Sequence, residues 1–117
     1  MKKNTYFFDI DGTIFKYRQF DLIPKTKPEV IESTRKQLKK WYNEGHHIII
    51  CTARPYDLKI HTLVELQDND IPYHQIIMGL ERGPRYIVND MDPAKEGKRA
   101  LGINLIRDKG FTDYELD

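Results

Sequence analysis

Thr5-Tyr6-Phe7-Phe8-Asp9-Ile10-Asp11-Gly12-Thr13 is an apolar run that stops abruptly in two acids and a glycine. Its first half is β-branched and aromatic, apolar on both alternating faces until Asp9. Such a run suits a central parallel strand covered on both sides. Gly12 then marks a turn. From Asp11 to Lys27 the chain mixes Gly12, Pro24 and polar and aromatic residues, which predicts a turn followed by a small hairpin or flap at about residues 14–25.

Working outward, the same alternation recurs. Thr26 opens a predicted helix, with Pro28 in its first turn and Glu29 as a capping-box partner. Ile31, Leu38, Trp41 and Tyr42 fall near one face, and Gly45 supplies the stop. His47 to Cys51 reads as a second buried strand. A second helix follows with Pro55 in its first turn and Ile60, Leu63, Val64 and Leu66 as its apolar side. His74 to Met78 is a third strand, Tyr86-Ile87-Val88 a fourth and Ile103 to Ile106 a fifth, with a short helix through Ala94 to Ala100 and a loosely held tail after Gly110. Strands alternating with helices build parallel βαβ units. The expected fold is therefore α/β, a Rossmann-like three-layer sandwich around a parallel sheet of about five strands, in one domain over residues 1–117.

Composition narrows the classes. Hydrophobic residues at 39% and charged residues at 32% are an ordinary globular balance, so a disordered or fibrous chain is excluded. A net charge of +1 argues against broad electrostatic capture of nucleic acid or an anionic membrane. The basic cluster Arg35, Lys36, Lys39 and Lys40 reads as a solvated helix face. The single cysteine, Cys51, cannot form an internal disulfide and reads as a buried small hydrophobe. No apolar stretch approaches the roughly 18 residues of a membrane span. The N-terminus does not resemble a signal peptide, so a cytoplasmic protein is expected. His46, His47, His61 and His74 have no zinc-ligand spacing.

In open parallel sheets ligands sit at the carboxyl ends of the strands. Asp9, Asp11 and Thr13 follow the first strand, Thr52 and Arg54 the second, and Asn89, Asp90 and Asp92 the fourth. Carboxylates gathered from distant segments suit a hard cation such as magnesium, and like charges crowded together call for one.

Phe7-Phe8-Asp9-Ile10-Asp11-Gly12-Thr13 resembles the first motif of the haloacid-dehalogenase-like hydrolases, and Ile48-Ile49-Ile50-Cys51-Thr52 the second. Ile87-Val88-Asn89-Asp90 resembles the fourth, with Asn89 where many members carry an acid. The resemblance implies a phosphatase in which Asp9 attacks phosphorus and Asp11 serves as general acid and then base. It implies that Asp9, the main-chain carbonyl of Asp11, and Asp90 hold Mg2+. Gly12 and Thr13 would shape the turn at the phosphate, and Thr52 would hydrogen-bond the phosphoryl group. Arg54 would bind a second anionic group of the substrate or pair with a nearby acid.

The family's third motif is a Lys or Arg, and Arg82 and Arg85 are the candidates. Arg85 begins the expected fourth strand, which at about 3.3 Å per residue puts it more than about 10 Å from that strand's catalytic end. Arg82, in the loop leaving the third strand, is the favoured residue. Asp92 is either a second acid near the metal or a turn residue.

Neither the flap nor the stretch between Thr52 and the third strand has room for a cap domain. An open site implies a large substrate or a covering subunit, so a dimer or tetramer is expected, with the flap around Phe15, Tyr17 and Phe20 either at the contact or folded onto its own core. The substrate expected is a small sugar phosphate or nucleotide. The alternatives are a nucleic-acid 3′-phosphate and a receiver-like signalling module. The second lacks the Asp it would need after the third strand, where Met78-Gly79-Leu80 stands.

Overall fold

A computed structural model describes residues 2–112. Three parallel strands form the sheet in the order β1-β2-β3: β1 is Thr5–Phe8, β2 His47–Cys51 and β3 Gln75–Ile77. Phe8 pairs with Ile50 and Ile50 with Ile76, so the strand ends align on one edge. Helix α1, Glu32–Asn43, connects β1 to β2, and a 3-10 turn at Tyr56–Leu58 runs into α2, Lys59–Asp68, before β3. Strand β2 is buried from Ile48 onward because it is central, and its isoleucines suit that position.

The core joins Phe8, Ile10, Ile48 and Ile50 to Leu38 and Trp41 of α1 and Leu66 of α2. Tyr6 stacks on Trp41, with ring centroids 3.8 Å apart and planes 5° from parallel. Phe15 is fully buried and belongs to this core, so of the three flap aromatics it is not a contact surface.

Helix α1 begins later than the sequence predicts. Residues 29–31 are extended and pair with residues 14–16: Lys16 N–H donates to the Glu29 carbonyl at 2.8 Å, and Ile31 N–H to the Ile14 carbonyl at 2.8 Å. Those backbone bonds outweigh the capping signal, and the Thr26 hydroxyl donates instead to the Leu22 carbonyl at the end of a 3-10 helix, Phe20–Lys25.

Residues 86–88 and 103–106, expected as fourth and fifth strands, pair with no strand, and the stretch from Ala94 to Ala100 is not helical. Val88 is 93% exposed. Strand β1 consequently lies at a sheet edge, and Phe7, expected to be covered, is 52% exposed. The α/β class with a parallel sheet holds; the sheet has three strands among the described residues.

Residues 107–112 return to the core. Phe111 packs edge-on against Trp41, and its N–H donates to the Ser33 hydroxyl at 3.0 Å. Gly110, at φ +60°, lies where an added Cβ would come under 3.0 Å from Ser33, Ile31 and Thr34 side chains. Gly110→Ala combines a left-handed backbone with overpacking, a cost of about 2–4 kcal/mol, limited by the energy of simply undocking this segment. The expected result is faster trypsin cleavage after Arg107 and Lys109 with the rest of the domain intact; cleavage at the wild-type rate would show the docking to be unimportant.

Candidate active site

Asp9 follows the last residue of β1 directly, and Asp11 stands one residue beyond Ile10, which is buried in the core. This anchor fixes the loop. The Ile10 carbonyl accepts N–H bonds from Thr13, Ile14 and Phe15 at 2.8–3.1 Å, so the chain curls tightly after the strand. Gly12 has φ +89°, a conformation that favours glycine, and an added Cβ would meet Arg107 Cγ at 3.2 Å. The close approach comes from the chain's own 106–109 turn, whose Asp108 N–H donates to the Gly12 carbonyl.

The carboxylate of Asp9 is about one-third exposed. Its Oδ2 accepts a long bond from the Thr13 hydroxyl at 3.4 Å, and its Oδ1 lies 3.3 Å from Arg85 Nη1. Burial is the main influence on Asp9 and pushes its carboxyl pKa up, opposed by Arg85 and reinforced by the charge of Asp11.

Asp11 has a different partner. Arg54 grips it with two bonds, Nε to Oδ2 and Nη2 to Oδ1, each 2.9 Å. Arg54 is fully buried, and its Nη1 also donates to Thr62 and Glu65, both at 3.0 Å. Of the two roles open to Arg54, the structure shows pairing with an acid.

Thr52 is buried at the end of β2. Its hydroxyl accepts the Arg54 N–H at 3.0 Å, and its N–H donates to the Ile77 carbonyl. Cys51 beside it is buried, and loss of solvent pushes its thiol pKa up. A thiol of that kind is inert chemically.

The two arginines exchange places relative to expectation. Arg82 lies over the Phe20 ring, its Cζ 4.3 Å from the centroid, while Arg85 reaches Asp9. The strand-direction argument for Arg82 fails because residues 86–88 form no strand, so nothing carries Arg85 away from the site. Asp90 is exposed, and among the described residues no three His, Cys, Asp or Glu side chains come together as a metal set. Asp92 closes a local turn, its carboxylate accepting the Ala94 N–H at 2.9 Å. His46 and His74 each accept a backbone N–H through Nδ1, from Asn4 and Ile48, as structural residues do.

The parallel α/β fold thus presents two acids on one strand-end loop, a threonine ending the neighbouring strand and an arginine on the first acid. The family model of the haloacid dehalogenase-like hydrolases matches residues 6–78, and the chain belongs to that family. The match covers β1 to β3 with Asp9, Asp11 and Thr52. A crystal structure of a protein from Vibrio cholerae shares the fold with a TM-score of 0.54 and 22% identity, over 73% of this chain and 79% of that one. No curated protein matches. Among the described residues no helix is long and apolar enough to cross a membrane.

Proposed function

We propose that the domain is a phosphohydrolase acting through an aspartyl-phosphate on Asp9. The observation that carries this reading is the division of labour between the two acids. Asp9 is accessible, as a nucleophile must be, whereas Asp11 is fixed beside it by a bidentate arginine.

In the first step an Asp9 oxygen attacks phosphorus and the ester oxygen departs, taking a proton from Asp11. In the second, water gives its proton to Asp11 and attacks phosphorus, releasing phosphate and regenerating Asp9. Each Asp11 oxygen keeps lone-pair capacity beyond its bond to Arg54, so one side of the carboxyl group remains able to exchange the proton. Arg85 supports the charge on Asp9 and on the phosphoryl group it receives.

Magnesium takes one or two carboxylates, then water and substrate phosphate. The Asp9 carboxylate and the Asp11 main-chain carbonyl fit as oxygen donors, and burial of the Asp9 charge gives a cation something to relieve. The chemistry a bound magnesium supplies here is neutralisation of charge as one anion approaches another. Asp90 is the third ligand we propose, and it would join on closure of residues 86–92, which directly follow the Arg85 that reaches Asp9.

The substrate class we propose is a small phosphomonoester such as a sugar phosphate or nucleotide, at a site a neighbouring subunit covers. The 3′-phosphate reading leans on Lys36, Lys39 and Lys40, but Lys39 is paired with Asp70 and the adjacent Arg35 with Glu32. A screen of sugar phosphates, nucleotides and a 3′-phosphorylated oligonucleotide, with magnesium and with chelator, tests both. Turnover of the small esters supports the first reading, turnover of the oligonucleotide alone the second, and hydrolysis of neither removes both.

The arginine contrast gives a sharper check. Loss of a charge-assisted contact to the nucleophile and phosphate is worth about 1.5–3 kcal/mol, so Arg85→Ala should lower kcat/KM about tenfold or more. Arg82→Ala removes a ring contact outside the site and should change it less than about threefold, since cation–π contacts at exposed positions are worth under about 1 kcal/mol. Steady-state kinetics with the reverse ranking would return the third-motif role to Arg82.

A further inference from the structure

Helix α2 turns an unusual face inward. Thr62 and Glu65 are buried on it with Leu66, while Ile60 is 73% exposed. The two polar residues share one task. Thr62 uses its proton on the Leu58 carbonyl at 2.8 Å, which leaves its oxygen to accept from Arg54 Nη1. Glu65 Oε1 accepts from Arg54 Nη1 at 3.0 Å and from Arg18 Nη2 at 2.7 Å. Arg18, from the flap, also donates to the Thr26 carbonyl and hydroxyl. The result is a chain of alternating charge, Asp11, Arg54, Glu65, Arg18, in which neither Arg54 nor Glu65 is open to solvent.

Burying a guanidinium and a carboxylate is costly unless geometry and hydrogen bonding are complete. Here four of the five N–H donors of Arg54 are taken by Asp11, Thr62 and Glu65, and the side chain is fully buried. An arginine serving only to bind substrate has no use for such anchoring. One serving to hold a carboxylate plane needs it, since a loosened general acid loses the alignment on which proton transfer depends.

We propose that Arg54 and Glu65 are positioning residues: Glu65 fixes the Arg54 guanidinium, and Arg54 fixes the carboxyl group of Asp11 for proton transfer to the leaving oxygen. Arg18 ties the same network to the flap. The inference rests on the phosphohydrolase reading given above.

A positioning role can be separated from a structural one by the leaving group. Expulsion of an alkoxide needs a proton from Asp11, whereas p-nitrophenolate departs without one. Glu65→Gln, which keeps the shape of the side chain, and Arg54→Lys are compared with wild type on an alkyl phosphate and on p-nitrophenyl phosphate, with magnesium present. Because kcat/KM reports phosphoryl transfer to Asp9, each variant should lose about tenfold or more in it on the alkyl ester and less than about threefold on the aryl ester. An equal loss on both esters would reduce the network to a structural one. A raised KM for the alkyl ester with kcat retained would make Arg54 a substrate ligand. Either result overturns the proposal while leaving the phosphohydrolase reading in place. Wild-type protein that hydrolyses neither ester defeats that reading itself, and the inference with it.

Discussion

Asp9→Asn is expected to lose at least about 10⁴-fold in turnover while the domain stays folded, because an amide cannot replace the carboxylate as nucleophile. The fold should tolerate the change. Asp9 has a loose contact to Thr13 and a partly exposed ion pair with Arg85, and neither holds the core. The sign of the pKa shift points the same way. Burial, the largest influence, raises the Asp9 pKa above its ordinary 3.8, so the folded protein binds this proton more tightly than the unfolded chain. The charged carboxylate therefore costs stability as pH rises through that window, and the neutral amide does not. With chelator present at neutral pH, the melting temperature of Asp9→Asn should equal or exceed that of wild type, and the difference should shrink on acidification toward pH 3.8. Near-normal turnover in this variant would end the aspartyl-phosphate mechanism. Lost turnover with a collapsed melting curve would assign Asp9 to stability instead.

The parts of the site that could be read in the sequence are those set by one strand and its immediate exit. Thr5–Phe8 and Ile48-Ile49-Ile50 carry their own β signal, and the residues just past a parallel strand must lie at its carboxyl end. Asp9, Asp11 and Thr52 follow from that alone. The failures share a different physics. Thr26 and Glu29 make a sound local cap signal, yet residues 29–31 gain more by pairing with residues 14–16, a contact no local pattern reports. On α2 the expected apolar side holds in part, since Leu66 is buried and Leu63 half-buried, but Ile60 and Val64 are exposed because the buried face also carries Thr62 and Glu65 to satisfy Arg54. The role of Arg54 was half visible. Its position beside the site was legible, but its pairing with Asp11 depends on where an arginine's long side chain turns. Tyr86-Ile87-Val88 has strand composition without strand pairing, so no strand separates Arg85 from Asp9, and Arg85 rather than Arg82 reaches it. A signal available without the structure was the oddity of Glu65 between Val64 and Leu66, a charge inside an apolar run that needs a buried partner.

Removal of magnesium should have an effect second only to loss of the nucleophile. Without a cation, Asp9 must approach a phosphoryl dianion with Arg85 as the nearby positive charge, and that arginine is 41% exposed and 3.3 Å from one oxygen only. Screening by water weakens such a pair, so the barrier should rise by several kcal/mol, or at least about 10²-fold in rate. Activity is expected to vanish in EDTA and to return with added Mg2+. A binding readout independent of turnover is also available: magnesium should raise the melting temperature in proportion to RT ln(1 + [Mg2+]/Kd). Asp90→Ala tests the closure of residues 86–92, because in the described arrangement Asp9, Asp11 and Asp90 do not form a three-member metal set. If Asp90 completes the set on closure, the variant should need about tenfold more magnesium for half-maximal activity and show a smaller thermal shift. Wild-type behaviour in both measurements would leave Asp9 and the Asp11 carbonyl as the protein's whole share of the ligands. Full activity of wild type in EDTA would exclude the metal altogether and leave Arg85 to carry the phosphoryl charge.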